Sequence, residues 1–331
     1  MCQGKQDSSL QDTAVSERDA LLRISNIHPE SSPKLLSYNE LPDWYKDNEF
    51  IHFGYRPISF STRACLSSWF YMHNETVNIY SHLLPGVFFV IAEGLMLFYI
   101  QDRYPEATVE DRLVFAFFLL TAVICLSFSA MLHTLSSHSL DVSNFWLHLD
   151  FIGIIVLTLG DFVSGIDMIF YCEPVLKQRY CIMITTLSLI ATFILLCPKF
   201  QGQRWRTFRV CAFVGTGLSG IAPIAHGISI FGFDQMSKQS GMPYYLGEGS
   251  LLLLGAFFYT TRIPECLAPG KFVLVGSSHQ WFHILVALAT LIHLTGLIFA
   301  FDFNYHHRVC TGTFHNWSLP GSTIYTQSGH V

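Results

Sequence analysis

Residues 112–133 read RLVFAFFLLTAVICLSFSAMLH. Between Arg112 and His133 stand twenty consecutive residues without a charged side chain. At the rise of an α-helix that run spans about 30 Å, the thickness of a bilayer's hydrocarbon core. Six further stretches share its character, near 81–101, 146–169, 179–197, 207–231, 244–262 and 280–302, separated by short polar or Pro/Gly-bearing connections. Pro85 and Glu93 interrupt the first span and Glu248 the sixth. Ahead of the first, residues 60–72 put Cys65, Leu66, Trp69 and Phe70 on one helical face. That pattern suits either a short helix at the membrane surface or ordinary packing beneath the bundle. The expected fold is an all-α membrane protein, a seven-transmembrane helix bundle with a short juxtamembrane helix before span one.

The bulk composition agrees. Of 331 residues 51% are hydrophobic and 13% charged, against roughly 25% charged in an average soluble domain. The net charge of −5 leaves no basic footprint, so nucleic acid is excluded as a partner. Nine cysteines are scattered without a CxxC pair, which argues against a cysteine zinc site. Cys172, Cys181 and Cys310 fall on one side of the membrane, and their pairing stays open.

Residues 1–47 read as a flexible polar cytosolic tail without a cleavable signal peptide, 48–302 as the membrane domain, and 303–331 as a short extracellular tail. With the N-terminus inside, inner segments carry Arg56, Arg63, Lys199, Arg204, Arg206, Arg209, Arg262 and Lys271. Outer ones carry Arg103, Arg112, Lys177, Arg179, Lys238 and Arg308. This is a weak positive-inside bias. Asn316-Trp317-Ser318, a glycosylation acceptor, would then face the lumen. Gly215-Thr-Gly217-Leu-Ser-Gly220 spells GxGxxG inside an apolar span. It reads as a small-residue face for close helix packing, with Pro223 kinking the same helix, rather than a nucleotide loop.

Ionisable side chains at membrane depth are candidates for function. Helix counting brings five to one face: His133 closes span two, His148 and Asp150 open span three, and His279 and His283 open span seven. His279 and His283 stand at i, i+4, as do Ser129 and His133, so each pair projects from one helix face. Two imidazoles from one helix, one from another and a nearby carboxylate match a three-ligand zinc shell with an open position. Spacing alone leaves a plainer reading open, in which interfacial histidines hydrogen-bond to backbone or lipid headgroups. Asp150 is favoured over His148, which faces another direction. His226 and His293 read as packing or hydrogen-bonding residues, and Asp161, Asp167 and Glu93 as cavity-lining groups without a common partner.

Ordered segments resemble the progestin and adipoQ receptors, which share a fold with haemolysin III-like proteins. They are Asn74-Glu-Thr-Val-Asn-Ile-Tyr-Ser-His82, Ser129-x3-His133 with Asp150 seventeen residues on, Arg262-Ile-Pro-Glu265, Pro269-Gly-Lys-Phe272 and Ser278-His279-Gln-x2-His283. Their wording is similar to the adiponectin-receptor-like and fungal zinc-homeostasis branch. The resemblance implies a cytosolic N-terminus, an outward C-terminus and Zn2+ held by His133, His279 and His283. It also implies that Asp150 contacts the ion through water, that Ser129 sits beside it, and that a lipid-sized cavity opens within the bundle.

Two functions follow. The first is hydrolysis of a lipid amide such as ceramide, with Asp150 as general base and Ser129 as oxyanion donor. The second is a receptor or regulator with structural zinc, answering to an extracellular protein ligand. An ion transporter fits less well, because the ligands cluster at one face. The compartment is a plasma membrane or endomembrane.

Overall fold

The computed structural model describes residues 34–200, 203–308 and 310. Asn316 and most of the two tails lie outside the described residues. Ahead of the membrane, strand β1 (Leu36–Ser37) pairs antiparallel with β2 (Phe53–Tyr55). Two 3-10 turns, Tyr38–Glu40 and Asp43–Tyr45, lie between them. The expected flexible tail is therefore shorter at its C-terminal end: residues 34–47 fold, because Leu41, Ile51 and Tyr55 form a small buried cluster with Tyr38 and Tyr45 against it.

The short helix α1 (Thr62–Ser67) starts where Ser61 caps it by accepting from the amide of Ala64. Its expected apolar face divides in two. Cys65 is buried and the indole of Trp69 donates to Thr134 Oγ1 at 3.0 Å, whereas Leu66 and Phe70 are exposed. Residues 60–72 thus divide, one part packed beneath the bundle and the other presenting apolar side chains outward.

The bundle comprises α2 (Thr76–Arg103), α3 (Val109–Leu135), α4 (Leu140–Ile169), α5 (Pro174–Leu196), the broken pair α6 (Arg206–Leu218) and α7 (Ile221–Phe231), then α8 (Phe233–Ser240), α9 (Met242–Thr261) and α10 (Ser278–His307). Among the described residues six spans are long and apolar enough to cross a bilayer, with α6 and α7 counted as one. The seventh, α9, is 20 residues long. It is less apolar because Tyr244, Tyr245, Gly247, Glu248 and Gly249 fill its early turns. The connection expected at 232–243 contains α8, whose Met236 is buried.

Packing runs mainly between α3 and its neighbours α2 and α4, and between α9 and α10. Phe115, Phe118, Leu119 and Leu126 of α3 are buried, while Leu84, Phe88, Ile91, Leu95 and Phe98 of α2 face outward. An apolar exterior is the arrangement that lipid permits.

Close helix contact falls in part where expected: a Cβ at Gly220 would lie 3.2 Å from Phe162 Cζ of α4. Nothing approaches a Cβ built at Gly215 or Gly217, and the span breaks at Ser219–Gly220, ahead of Pro223. Pro223 sits in the first turn of α7, where its missing N–H removes no helical bond. The tight crossing is α3 on α4. A Cβ at Gly160 would lie 1.9 Å from Thr121 Oγ1, and one at Gly153 3.1 Å from the Cα of Cys125. At the opposite membrane face from His133, Cys172 and Cys310 form a disulfide and Cys181 is free.

Candidate metal centre

His133 stands near the end of α3 and His279 and His283 in the first two turns of α10, and the bundle brings all three together. Nε2 of His279 lies 3.3 Å from Nε2 of His133 and 3.1 Å from Nε2 of His283. One ligand atom from each fits within 4.8 Å of the others.

Each helix end is pinned. The last carbonyls of α3 have no partner within the helix, and the buried guanidinium of Arg56 supplies one: it donates to the carbonyls of His133 and Thr134 and to the hydroxyls of Ser68 and Ser136. At the start of α10 the exposed amides need acceptors. Glu265 takes the Ser278 amide at 2.7 Å, the Ser278 hydroxyl, and Asn48 Nδ2 at 3.0 Å. Gln280 Oε1 accepts from the amide of Gly276 at 2.6 Å, and Ser277 completes a capping box. The quoted Arg262–Glu265 and Ser278–His283 segments are therefore the machinery that aims two imidazoles.

The outer nitrogens decide what the inner ones offer. Nδ1–H of His133 donates to Glu75 Oε2 at 2.7 Å. Nδ1–H of His283 donates to the carbonyl of Asn78 at 3.1 Å, a group that can only accept. Neutral imidazoles bonded this way carry lone pairs at Nε2. Two such nitrogens point at the cluster with His279 between them. Lone pairs at this spacing repel unless a cation joins them, and nitrogen lone pairs on neutral imidazole are what a borderline metal ion takes. The residues fit an ion held by three histidines.

A carboxylate hydrogen-bonded behind a ligating imidazole orients it and raises its basicity. Glu75 has that position. Burial alone would raise its pKa, but hydrogen bonds from His133 and Asn78 and the charge of Arg56 outweigh it, holding Glu75 below the usual carboxylate range. His82 stacks on His283 at 3.8 Å and 4°, and its Nε2–H donates to the His283 carbonyl. Sequence reasoning quoted Glu75, Asn78 and His82 without a role. The signal was their i, i+3 and i+7 spacing at the start of α2, which puts them on one face.

Ser129 and Asp150 line the same cavity as the three histidines, and Asp150 lies within electrostatic reach of both Ser129 and His133. Asp150 is not among the close donors of the cluster. The cavity measures about 850 Å³, and Trp44, Tyr45 and Asn48 of the folded N-terminal segment are among its lining residues. His148 donates from Nδ1 to the Asn144 carbonyl of its own helix at 2.6 Å; it is half-buried and lines the cavity as well. His226 meets Tyr180 at 2.9 Å. Asp161 lines the cavity; Asp167 and Glu93 do not. Asp167 pairs with Lys177 at 2.6 Å.

The model of the haemolysin-III related family matches residues 70–294. The adiponectin receptor protein of Drosophila melanogaster is 39% identical over 269 residues, covering 81% of this chain and 60% of that protein. The ADIPOR-like receptor IZH2 of Saccharomyces cerevisiae is 35% identical over 274 residues, 81% and 84% of the two chains. Progestin and adipoQ receptor family member 3 of Homo sapiens is 32% identical over 259 residues, 77% and 82%. This chain spans about three-fifths of the length of the Drosophila protein and of a similar Caenorhabditis elegans protein. Seven helices, the matched segment running across six of the spans and into the seventh, and relatives of this kind lead to one conclusion: the chain belongs to the haemolysin-III related family of multi-pass membrane proteins, among its adiponectin-receptor-like members.

Proposed function

We propose that His133, His279 and His283 hold Zn2+ and that the site hydrolyses a lipid amide of the ceramide type. The supporting observation is that three converging imidazoles, two of them with inward lone pairs, open onto a cavity of about 850 Å³ whose wall also carries Asp150 and Ser129. When bound, zinc supplies Lewis acidity and makes water acidic enough to yield hydroxide near neutral pH. Asp150 accepts the proton of the attacking water and delivers it to the amine as the C–N bond breaks. The water oxygen bonds to the acyl carbon, giving a fatty acid and an amine. Ser129 Oγ–H donates to the developing oxyanion. Apolar residues such as Ile154, Leu157 and Val210 along the cavity wall would accommodate the acyl chain.

A receptor or regulator with structural zinc is the second reading. Glu75 and Asn78, at the start of α2, hold imidazoles of α3 and α10, so an ion there would tie three helices together. Relatives named adiponectin receptor suggest an extracellular protein ligand, and receptor signalling through a lipid product would unite the two readings. A cytosolic N-terminus is supported by the Cys172–Cys310 disulfide at the face opposite the histidines, since disulfides persist in oxidising compartments. Fatty-acid release from ceramide by purified protein in defined micelles tests the hydrolase: release abolished by Asp150→Asn supports it, and no release by zinc-loaded wild type overturns it.

A further inference from the structure

Ten residues beyond His283 on α10, about 15 Å deeper along the helix, His293 meets two carboxylates. Its Nδ1 lies 2.7 Å from Glu248 Oε2 on α9 and 3.9 Å from Asp161 Oδ1 on α4. Its other nitrogen, Nε2, lies 2.8 Å from Ser164 Oγ. The single hydroxyl hydrogen of Ser164 is directed at the carbonyls of Gly160, at 2.8 Å, and Asp161, at 3.2 Å. Ser164 Oγ therefore accepts from His293, and Nε2 carries the hydrogen. Nδ1, 2.7 Å from the Glu248 carboxylate, donates a second hydrogen there; an ion that displaces that proton meets a lone pair at Nδ1 directed toward both carboxylates.

Three electron-pair donors thus converge deep within the bundle, all within 4.8 Å of one another. His293 and Glu248 are buried, and Asp161 Oδ1 has no hydrogen-bond partner. The hydroxyl of Tyr245 is buried beside them, also without a partner. Phe118 and Tyr245 stack against the His293 ring at 4.6 and 5.0 Å, which fixes its plane. Carboxylates are costly at this depth unless a cation compensates them.

We infer that Asp161, Glu248 and His293 form a second metal site, for a divalent transition-metal ion such as Zn2+. One imidazole nitrogen and two carboxylate oxygens suit zinc, while an all-oxygen shell would be expected for calcium or magnesium. The cavity that reaches the three histidines is lined by this trio as well, so an ion has a route between them. Helix geometry lays out that route. Asp150 and Asp161, eleven residues apart, share one face of α4, and His279 and His293, fourteen apart, nearly share one face of α10.

The test counts ions. Full-length protein in detergent is stripped with chelator, equilibrated with ZnCl2, desalted and analysed for zinc per chain. About two equivalents are expected in wild type, and about one in Glu248→Gln, in Asp161→Asn and in His279→Ala/His283→Ala. Adding Glu248→Gln to that double variant should remove the last. A second equivalent that survives Glu248→Gln overturns the inference, as does a wild-type count of one that only the His279→Ala/His283→Ala change removes, meaning that a proton fills the deep cluster. A count of one that Glu248→Gln removes and the double histidine variant keeps sustains this site while sinking the three-histidine one. Both carboxylate changes are nearly isosteric, and thermal unfolding of each variant shows that it is folded.

Discussion

Glu75 on the N-terminal side of α2 accepts a 2.7 Å hydrogen bond from Nδ1 of His133 on α3, and this contact fixes which nitrogen His133 turns inward. With its outer N–H engaged, His133 presents a lone pair to His279 and His283. Replacing that carboxylate with a neutral amide weakens the hold on the ring and lowers the basicity of its inward nitrogen. Glu75→Gln should lower zinc affinity by about 10- to 100-fold with the three ligands intact. Competition with a calibrated chromophoric chelator measures it, and an unchanged affinity would remove Glu75 from the site.

An ion joining α3 to α10 also stabilises the fold, because it binds the native arrangement and not the separated helices. At free zinc about 1,000-fold above its dissociation constant the gain is about 4 kcal/mol. Chelator should therefore lower the thermal midpoint of Glu248→Gln, which keeps the three-histidine site alone, and leave the variant that adds His279→Ala and His283→Ala to it unmoved. A wild-type midpoint indifferent to chelator would mean that the histidines hold nothing.

Asp150 has a different expected signature. As a general base outside the close donor set, Asp150→Asn should cut lipid amide hydrolysis by about 10²- to 10⁴-fold while zinc content stays at the wild-type value. Loss of zinc together with activity would make Asp150 a ligand instead.

Glu265 gathers an amide, a hydroxyl and Asn48 Nδ2 in a fully buried position. Glu265→Ala leaves those donors without an acceptor, each at a cost of about 1–3 kcal/mol, and releases the first turn of α10. Thermal unfolding should fall markedly and zinc affinity with it. Glu265→Gln, which keeps an acceptor oxygen, should recover part of both.

His73, just ahead of α2, has its pKa pushed down to about 4, chiefly by burial and then by the nearby charge of Arg56. Its Nδ1 accepts from the amide of Glu75, and its Nε2 has no partner. The unfolded chain takes up a proton near pH 6.5 while the folded chain resists it until about 4. Stability is thus complete above pH 6.5 and declines as pH falls between those values. Replacing His73 with Asn should flatten that part of the unfolding profile; an unchanged slope would show that other groups carry it.

Much of this was legible in the chain itself. Twenty uncharged residues between Arg112 and His133 can hydrogen-bond their backbone in lipid only as a helix, and counting such runs places His133, Asp150, His279 and His283 at one face whatever the packing. Helical periodicity also paired His279 with His283. Contacts between distant segments have no such period. The sequence could not show that Glu75 would stand behind His133 across 58 positions, or Glu265 beneath Ser278 with Asn48. Nor could it show that close packing uses Gly153 and Gly160 while leaving Gly215 and Gly217 open, because a small residue is a packing site only where another helix arrives. Asp161, Glu248 and His293 looked like unrelated polar interruptions in three spans. Composition and periodicity determined that the chain crosses the membrane and that the histidines share one face. Only the tertiary structure decided which tautomers face inward, because that depends on hydrogen-bond partners brought from other helices.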